Sequence, residues 1–274
     1  MLFMNATRIL VGMGLLSTLL LGAAFVAAHP PLNLGVLPTS RILSGGEELT
    51  YEVSWSFVDL GTVRLVTRDD YTATAYIDSY EGIPVVDLHA VFVTTMDSLF
   101  RALHSRSAEL KEGVWEGLDY RYDHAAGKIF IDKVRLQDPL GEPTYRAPRD
   151  TMDLPGTDFV DGLSIAMYPR RFIHTNSRID VPTILYGKMG TTTFDFTEAG
   201  TEDQLDAVDH PVRMHEVGGA TSVVGIFGMT GEFTGWFSDD SAAVPLRGKL
   251  KVLIGNVELQ LVRWKKGGWN PPAS

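Results

Sequence analysis

A chain of 274 residues with 45% hydrophobic and 21% charged side chains is ordinary globular protein, enough for one large domain or two small ones. Its net charge of −10 argues against nucleic acid or an anionic membrane surface as a partner, since both reward a basic face. With 0 Cys, the chain is not a lipoprotein, and disulfides, thiolate metal sites and cysteine nucleophiles are excluded.

Residues 1–28 read as an export signal. Arg8 supplies the positive n-region, Ile9 to Val26 is an uncharged apolar run, and Val26-Ala27-Ala28 offers small residues before a cut at His29. An uncleaved anchor is the alternative, because about 18 to 20 uncharged residues can span a bilayer. Gly12, Gly14, Ser17, Thr18 and Gly22 dilute the run and favour cleavage. The expected location is therefore periplasmic or secreted, with the N-terminal segment engaging the membrane during export. Residues 29–46, rich in Pro, Gly and Ser, read as a linker or N-terminal arm. Residues 47–266 read as a single β-rich domain, and 267–274 as a C-terminal tail.

The first strand alternates: Leu49, Tyr51, Val53, Trp55 and Phe57 fall on one side, Glu48, Thr50, Glu52, Ser54 and Ser56 on the other. Asp59-Leu60-Gly61 turns the chain into a second strand from Val63, and Arg68-Asp69-Asp70 turns it into a third, Tyr71 to Ile77. Short turns make this a meander, hence antiparallel. Further strands are expected at Val85 to Thr95, Ser107 to Leu110, Val114 to Tyr122 and Lys128 to Val134. Met96 to Leu103 is either a helical turn or a strand end. Gln137 to Asp150 holds three prolines among polar residues and reads as a surface loop or an internal boundary.

One helix is predicted, Asp158 to Tyr168. Thr157 or Asp158 caps it, Phe159, Leu163 and Met167 recur at helical spacing, and Pro169 stops it. Strands resume at Ile179 to Tyr186, Thr191 to Phe196, His210 to Val217, Thr221 to Ile226 and Glu232 to Phe237. Gly255-Asn256 then sits at the tip of a two-residue hairpin, pairing Ile254 with Val257, Val252 with Leu259 and Leu250 with Leu261. About ten to thirteen strands with one or two short helices make a mainly β protein, and so large an antiparallel sheet should curve or form a partly open barrel.

Three stretches resemble a family of exported bacterial proteins of unknown function, DUF3108. Phe159 to Arg170, with Asp161, Ser164 and Arg170, is similar to the family's D-x-(L/I)-S-x-x-(F/Y)-x-x-R region. Trp236-Phe237-Ser238-Asp239-Asp240, then Pro245 and the hairpin at Gly255, is similar to its W-x-S-D-D ending. Gly46 to Trp55, with Gly61 after it, looks like the family's start. The resemblance runs from about Gly45 to Arg263 and implies an exported β-rich protein. It carries no catalytic residues with it.

Candidate chemistry is sparse. Ser238-Asp239-Asp240 offers paired carboxylates for Ca²⁺ or a general base, but adjacent strand residues point to opposite faces, and such residues also make turns. His29, His89, His104, His124, His174, His210 and His215 show no zinc-hydrolase spacing, so no metal site or cofactor is predicted. The Gly-rich stretch Val223 to Gly231 lacks the ending of a phosphate loop. Asp161 with Arg170 and Arg171 suits either an anion site or the two ends of the predicted helix. Tyr51, Trp55, Phe57, Phe92, Phe159, Leu163, Met167 and Phe237 form either a solid core or the lining of an apolar cavity.

The leading expectation is a non-enzymatic exported protein that binds a lipid or other apolar small molecule, or a cell-envelope protein; the carrier reading rests on analogy with lipoprotein-carrier-like open barrels. The alternatives are a structural or interaction module with a solid core, and a hydrolase using Asp239 or Asp240.

Overall fold

The structure is a computed structural model that describes residues 35–83, 87–156, 158–198, 200–223, 231–252 and 255–274. Residues 1–28, read from the sequence as an export signal, lie outside these residues, as do Thr157, residues 224–230 and Ile254. No helix among the described residues is long and apolar enough to cross a membrane.

The described residues form sixteen strands in one sheet. The first half is β1 (Glu47–Trp55), β2 (Val58–Thr67), β3 (Thr72–Ser79), β4 (His89–Met96), β5 (Ala102–Lys111), β6 (Val114–Asp123), β7 (Lys128–Leu136) and β8 (Tyr145–Asp153). The second half is β9 (Val160–Asp161), β10 (Arg178–Leu185), β11 (Lys188–Asp195), β12 (Gly200–Gln204), β13 (Pro211–Thr221), β14 (Gly231–Ser238), β15 (Pro245–Lys251) and β16 (Asn256–Lys265). Two short helices accompany them, α1 (Thr39–Ile42) and α2 (Ser164–Met167), the latter running into a 3-10 turn, Tyr168–Arg171.

In space the order runs from β8 back to β1, then β16 to β13, β11, β10 and β9, with β12 beside β13. Only the β9–β10 pair among these is parallel. The two ends are not hydrogen-bonded to each other, so the sheet does not close. It curls instead. The larger core joins β1–β3 (Leu49, Tyr51, Leu65) to β10–β16 (Val181, Phe194, Met214, Leu246, Leu261). A smaller one joins β6 and β7 (Tyr120, Ile129, Ile131) to Phe159 and Ile184 of the far end. A flat sheet cannot bury one face this way; a curled one packs that face on itself.

Hairpin chemistry drives the meander. Glu112 and Gly113 have φ of 50° and 80° between the paired Lys111 and Val114, and Tyr186 and Gly187 have 52° and 71° between Leu185 and Lys188. Both are two-residue turns with positive φ at both positions, whose twist matches that of the strands. At Gly117 the backbones of β5 and β6 come so close that a Cβ would lie 1.7 Å from the Ser107 carbonyl oxygen.

Several expectations are corrected. The strand count exceeds the predicted thirteen because β12 and β8 carry little apolar alternation. β8 overlaps the stretch read as loop 137–150 and runs three residues beyond it. It is an exposed end strand that tolerates Pro148 beside the irregularity opposite Ile131 and Asp132. The first turn lies at Ser56-Phe57 rather than at 59–61, with Trp55 opposite Val58 and Ser56 at φ 57°. Segment 97–101 is a tight turn closed by Asp97, with Phe100 buried.

The helix expected over 158–168 shrinks to α2. Val160 and Asp161 are drawn into parallel pairing with Thr183 and Ile184, and Gly162 leaves the helical region at φ 32°. Pro169 does not end the helical stretch but starts its 3-10 continuation. The last hairpin has a different register: Leu250 pairs with Val257, and Gly248 with Leu259. Its connection spans 252–255, where the Val252 N–H donates to the Gly255 carbonyl at 3.2 Å. The offset is even, so every side chain keeps its predicted face. Leu261 is fully buried on that face, and Leu250 and Leu259 are half-buried.

The described part of the N-terminal arm packs into the larger core through Leu37, Ile42 and Leu43. The Lys266 ammonium fixes it from the other end of the domain by donating to the Ile42 carbonyl at 2.6 Å.

Candidate functional site

The apolar candidates do not gather around one space. Tyr51, Met167 and Phe237 are buried in the larger core, Phe159 in the smaller one, and Phe92 and Leu163 pack half-buried against the larger. Trp55 is half-buried, and Phe57, at the first hairpin tip, is 94% exposed. Between segment 158–168 and the sheet there is a void of only about 30 Å³, lined by Phe92, Thr94, Ser105, Tyr122, Asp161 and Gly162. That is room for a water and far below ligand size.

Asp161, Ser164 and Arg170 separate into two buried networks, neither of which is a pair of helix-end charges. The Asp161 N–H donates to Ser164 Oγ at 2.7 Å, and Tyr122 donates its hydroxyl to the Asp161 carboxylate at 2.5 Å. Burial raises the Asp161 pKa, against hydrogen bonds from Ser105, Tyr122 and Ser164 that lower it. The fully buried Arg170 grips both carboxylate oxygens of Glu47 and donates to the carbonyls of Ala243 (2.9 Å) and Ala242 (3.0 Å). Lys266 completes the network 3.1 Å from Glu47. Burial opposes ionisation of Glu47, but Arg170 and Lys266 outweigh it and hold its pKa below the usual carboxylate range.

The W-x-S-D-D residues do three separate jobs. Trp236 donates its indole N–H to Glu216 at 2.9 Å across β13 and β14. Ser238 and Asp240 build the turn before β15: Asp240 Oδ1 accepts from Ser238 Oγ and from the N–H groups of Ala242 and Ala243, and Oδ2 accepts from Trp269 Nε1. Asp239 points elsewhere, into the interior, beside His174 and His215. The two carboxylates therefore do not share a face. Pro245 accepts a hydrogen bond from the Tyr51 hydroxyl at 2.9 Å, and Gly255 supplies the positive φ of the last turn. The histidines are far apart in sequence and on unlike elements, so residue spacing gives no sign of their meeting.

An open cleft of about 580 Å³ lies where the first half of the sheet meets the β10–β11 turn. Leu118, Val134, Tyr145 and Tyr186 give it aromatic and aliphatic surface, and Glu109, Lys111, Glu116, Lys133 and Arg135 give it charge. Lys111 pairs with Glu109 at 2.9 Å and Arg135 with Glu116 at 2.7 Å, while the Arg135 guanidinium lies 5.8 Å from the Tyr145 ring centre. Tyr186, like Tyr71 and Phe100, is a bulky residue at positive φ, and of the three it is the one that lines this cleft. Burial, then Glu109 and Tyr120 nearby, push its hydroxyl pKa well above the ordinary value.

Comparison with known proteins gives a family but no activity. The model of a family described as a protein of unknown function, DUF3108, matches residues 50–262. No curated protein matches the chain. Among solved structures, a beta-barrel-like protein of a domain of unknown function, DUF1849, from Brucella abortus is similar at 12% identity and a TM-score of 0.48. The match covers 84% of this chain and 98% of that one.

Proposed function

This chain belongs to the DUF3108 family, whose name states no activity, and we propose that it is an exported, non-enzymatic binding protein of the cell envelope. Its ligand is amphipathic and sits in the open cleft, the apolar part against Leu118, Tyr145 and Tyr186 and an anionic head toward Lys133. The observation that carries this reading is Tyr186. A bulky aromatic is held at φ 52° in a turn that would fold more easily with asparagine, and its ring lines the cleft. Several non-glycine residues hold positive φ, and at Tyr186 that strain coincides with a cleft wall, which is a pointer to binding. The cleft volume lies in the ligand range, and its mixed lining suits a guest with one charged end rather than a wholly apolar one.

Export is supported by the signal-like residues 1–28 and predicts a mature chain beginning at His29, read by mass spectrometry of the periplasmic protein. The packed interior removes the internal lipid cavity from this reading and suits an interaction module equally well. Native mass spectrometry after mild extraction separates the two, since a small-molecule adduct belongs to the first alone. Tyr186→Asn is expected to keep or raise the melting temperature while weakening uptake of an anionic fluorescent fatty-acid probe by about tenfold. Absence of both adduct and probe uptake in the wild type rejects the cleft as a small-molecule site.

A further inference from the structure

We propose that His174, His215 and Asp239 supply three donors of a buried structural site for a first-row divalent cation, Zn²⁺ foremost. The three come from the loop after the 3-10 turn, the middle of β13 and the residue following β14. Each offers a donor atom, and these atoms lie within 4.8 Å of one another. All three residues are buried, at 3%, 1% and 0% exposure.

The geometry around His174 is that of a ligand awaiting a cation. Its Nε2 faces the Asp240 carbonyl at 3.3 Å, and a carbonyl only accepts, so this nitrogen is assigned the proton. Nδ1 of the neutral ring then directs a bare lone pair at Asp239 Oδ1, 3.6 Å away, and has no hydrogen-bond partner. With that tautomer two acceptor atoms face each other in a dry interior, and a cation between them would satisfy both. The separation is close to the roughly 3.3 Å between two ligands of a tetrahedral zinc with bonds near 2.0–2.1 Å. A histidine that ligates through one nitrogen and donates to a carbonyl through the other is the usual outer-shell arrangement of such sites.

The backbone holds the donors in place without the ion. His215 lies mid-strand between two neighbours, in register with Gly200 of β12 and Phe237 of β14. The Asp239 N–H donates to the Arg213 carbonyl at 3.1 Å, and the His174 backbone bridges to Gly35 of the N-terminal arm. Two imidazoles and one carboxylate suit zinc and its neighbours better than calcium or magnesium, which prefer all-oxygen shells. Complete burial leaves no solvent-facing position, so the ion's role is to tie three segments together in a chain that has no cysteine. This does not depend on the cleft.

The test is metal content of the full chain purified without a polyhistidine tag, then stripped with a chelator and refilled with Zn²⁺ or Co²⁺. The expected result is about one zinc per chain, a lower melting temperature after stripping that Zn²⁺ restores, and the intense visible bands of tetrahedral Co²⁺. Asp239→Asn and His215→Gln should each lower occupancy at least about tenfold, while His104→Gln should leave it unchanged. Zinc occupancy below about a tenth with an unmoved melting temperature overturns the proposal, as does full occupancy in both variants. Should the variants not fold, a weak, octahedral Co²⁺ spectrum of the wild-type chain overturns it equally. A proton shared with the carboxylate would then be what occupies the cluster.

Discussion

Arg170 donates to Glu47 and to two backbone carbonyls with no exposure of its own, so its charge depends on one carboxylate. Removing that carboxylate strands two cations, Arg170 and Lys266, in the interior. Glu47→Gln is therefore expected to cost about 3–5 kcal/mol in urea unfolding. The same group governs the acid limb. Glu47 and Asp119 are both held below their ordinary values; at Asp119 burial is overcome by hydrogen bonds from His104, Arg146 and Arg106. Depressed carboxylates stabilise the fold fully above their unfolded pKa values, near 4.5 and 3.8, and this is lost as pH falls toward the folded ones. Asp161 acts in the opposite sense. Its raised pKa favours the fold when protonated, and that contribution is lost as pH rises. Asp97 and Asp195 are also held low, so four depressed carboxylates against one raised predict that the urea midpoint falls between about pH 5 and pH 3, less steeply in Glu47→Gln.

The N-terminal arm carries weight out of proportion to its length, since Leu37, Ile42 and Leu43 are all within 2% of complete burial. Ile42→Ala is expected to cost about 2–5 kcal/mol, measured by chemical denaturation; a loss under about 0.5 kcal/mol would mean the arm does not dock. This arm shows where sequence reading reaches its limit. Its few apolar residues have neither a period of two nor one of 3.6, so composition alone speaks for a linker. β1 to β7 were legible because each alternates between turns rich in Gly and Asp. β8 was not, being an exposed end strand with no apolar face to register. The 158–168 helix failed because its apolar spacing is matched by a stronger demand, the pairing of Val160 and Asp161 with β10. Asp161, Ser164 and Arg170 were legible as a motif, yet their partners Tyr122 and Glu47 lie on distant strands. The meeting of His174, His215 and Asp239 is likewise a product of register, visible only once β13 and β14 are paired.

At the scale of the whole molecule, the larger core, the smaller core and the open cleft follow from a single property: the sheet curls until its ends face each other without joining. Tyr120, Ile129 and Ile131 near one end need Phe159 and Ile184 near the other to exclude water. The cleft exists because the β10–β11 turn is brought near β7 and β8, where a Cβ added at Gly187 would lie 3.7 Å from Ile131 Cδ1 and 4.0 Å from the Arg149 guanidinium. The binding reading and the buried polar networks all assume this curl. The cysteine-free chain allows it to be measured, since spin labels attach only where cysteines are introduced. In the double variant Arg149→Cys, Lys188→Cys, pulsed electron resonance should return one narrow distance within about 25 Å, whereas twelve strand spacings of about 4.8 Å would hold the labels about 60 Å apart in a flat sheet. The short distance is the result the curled sheet predicts; the long or broadly spread one contradicts it.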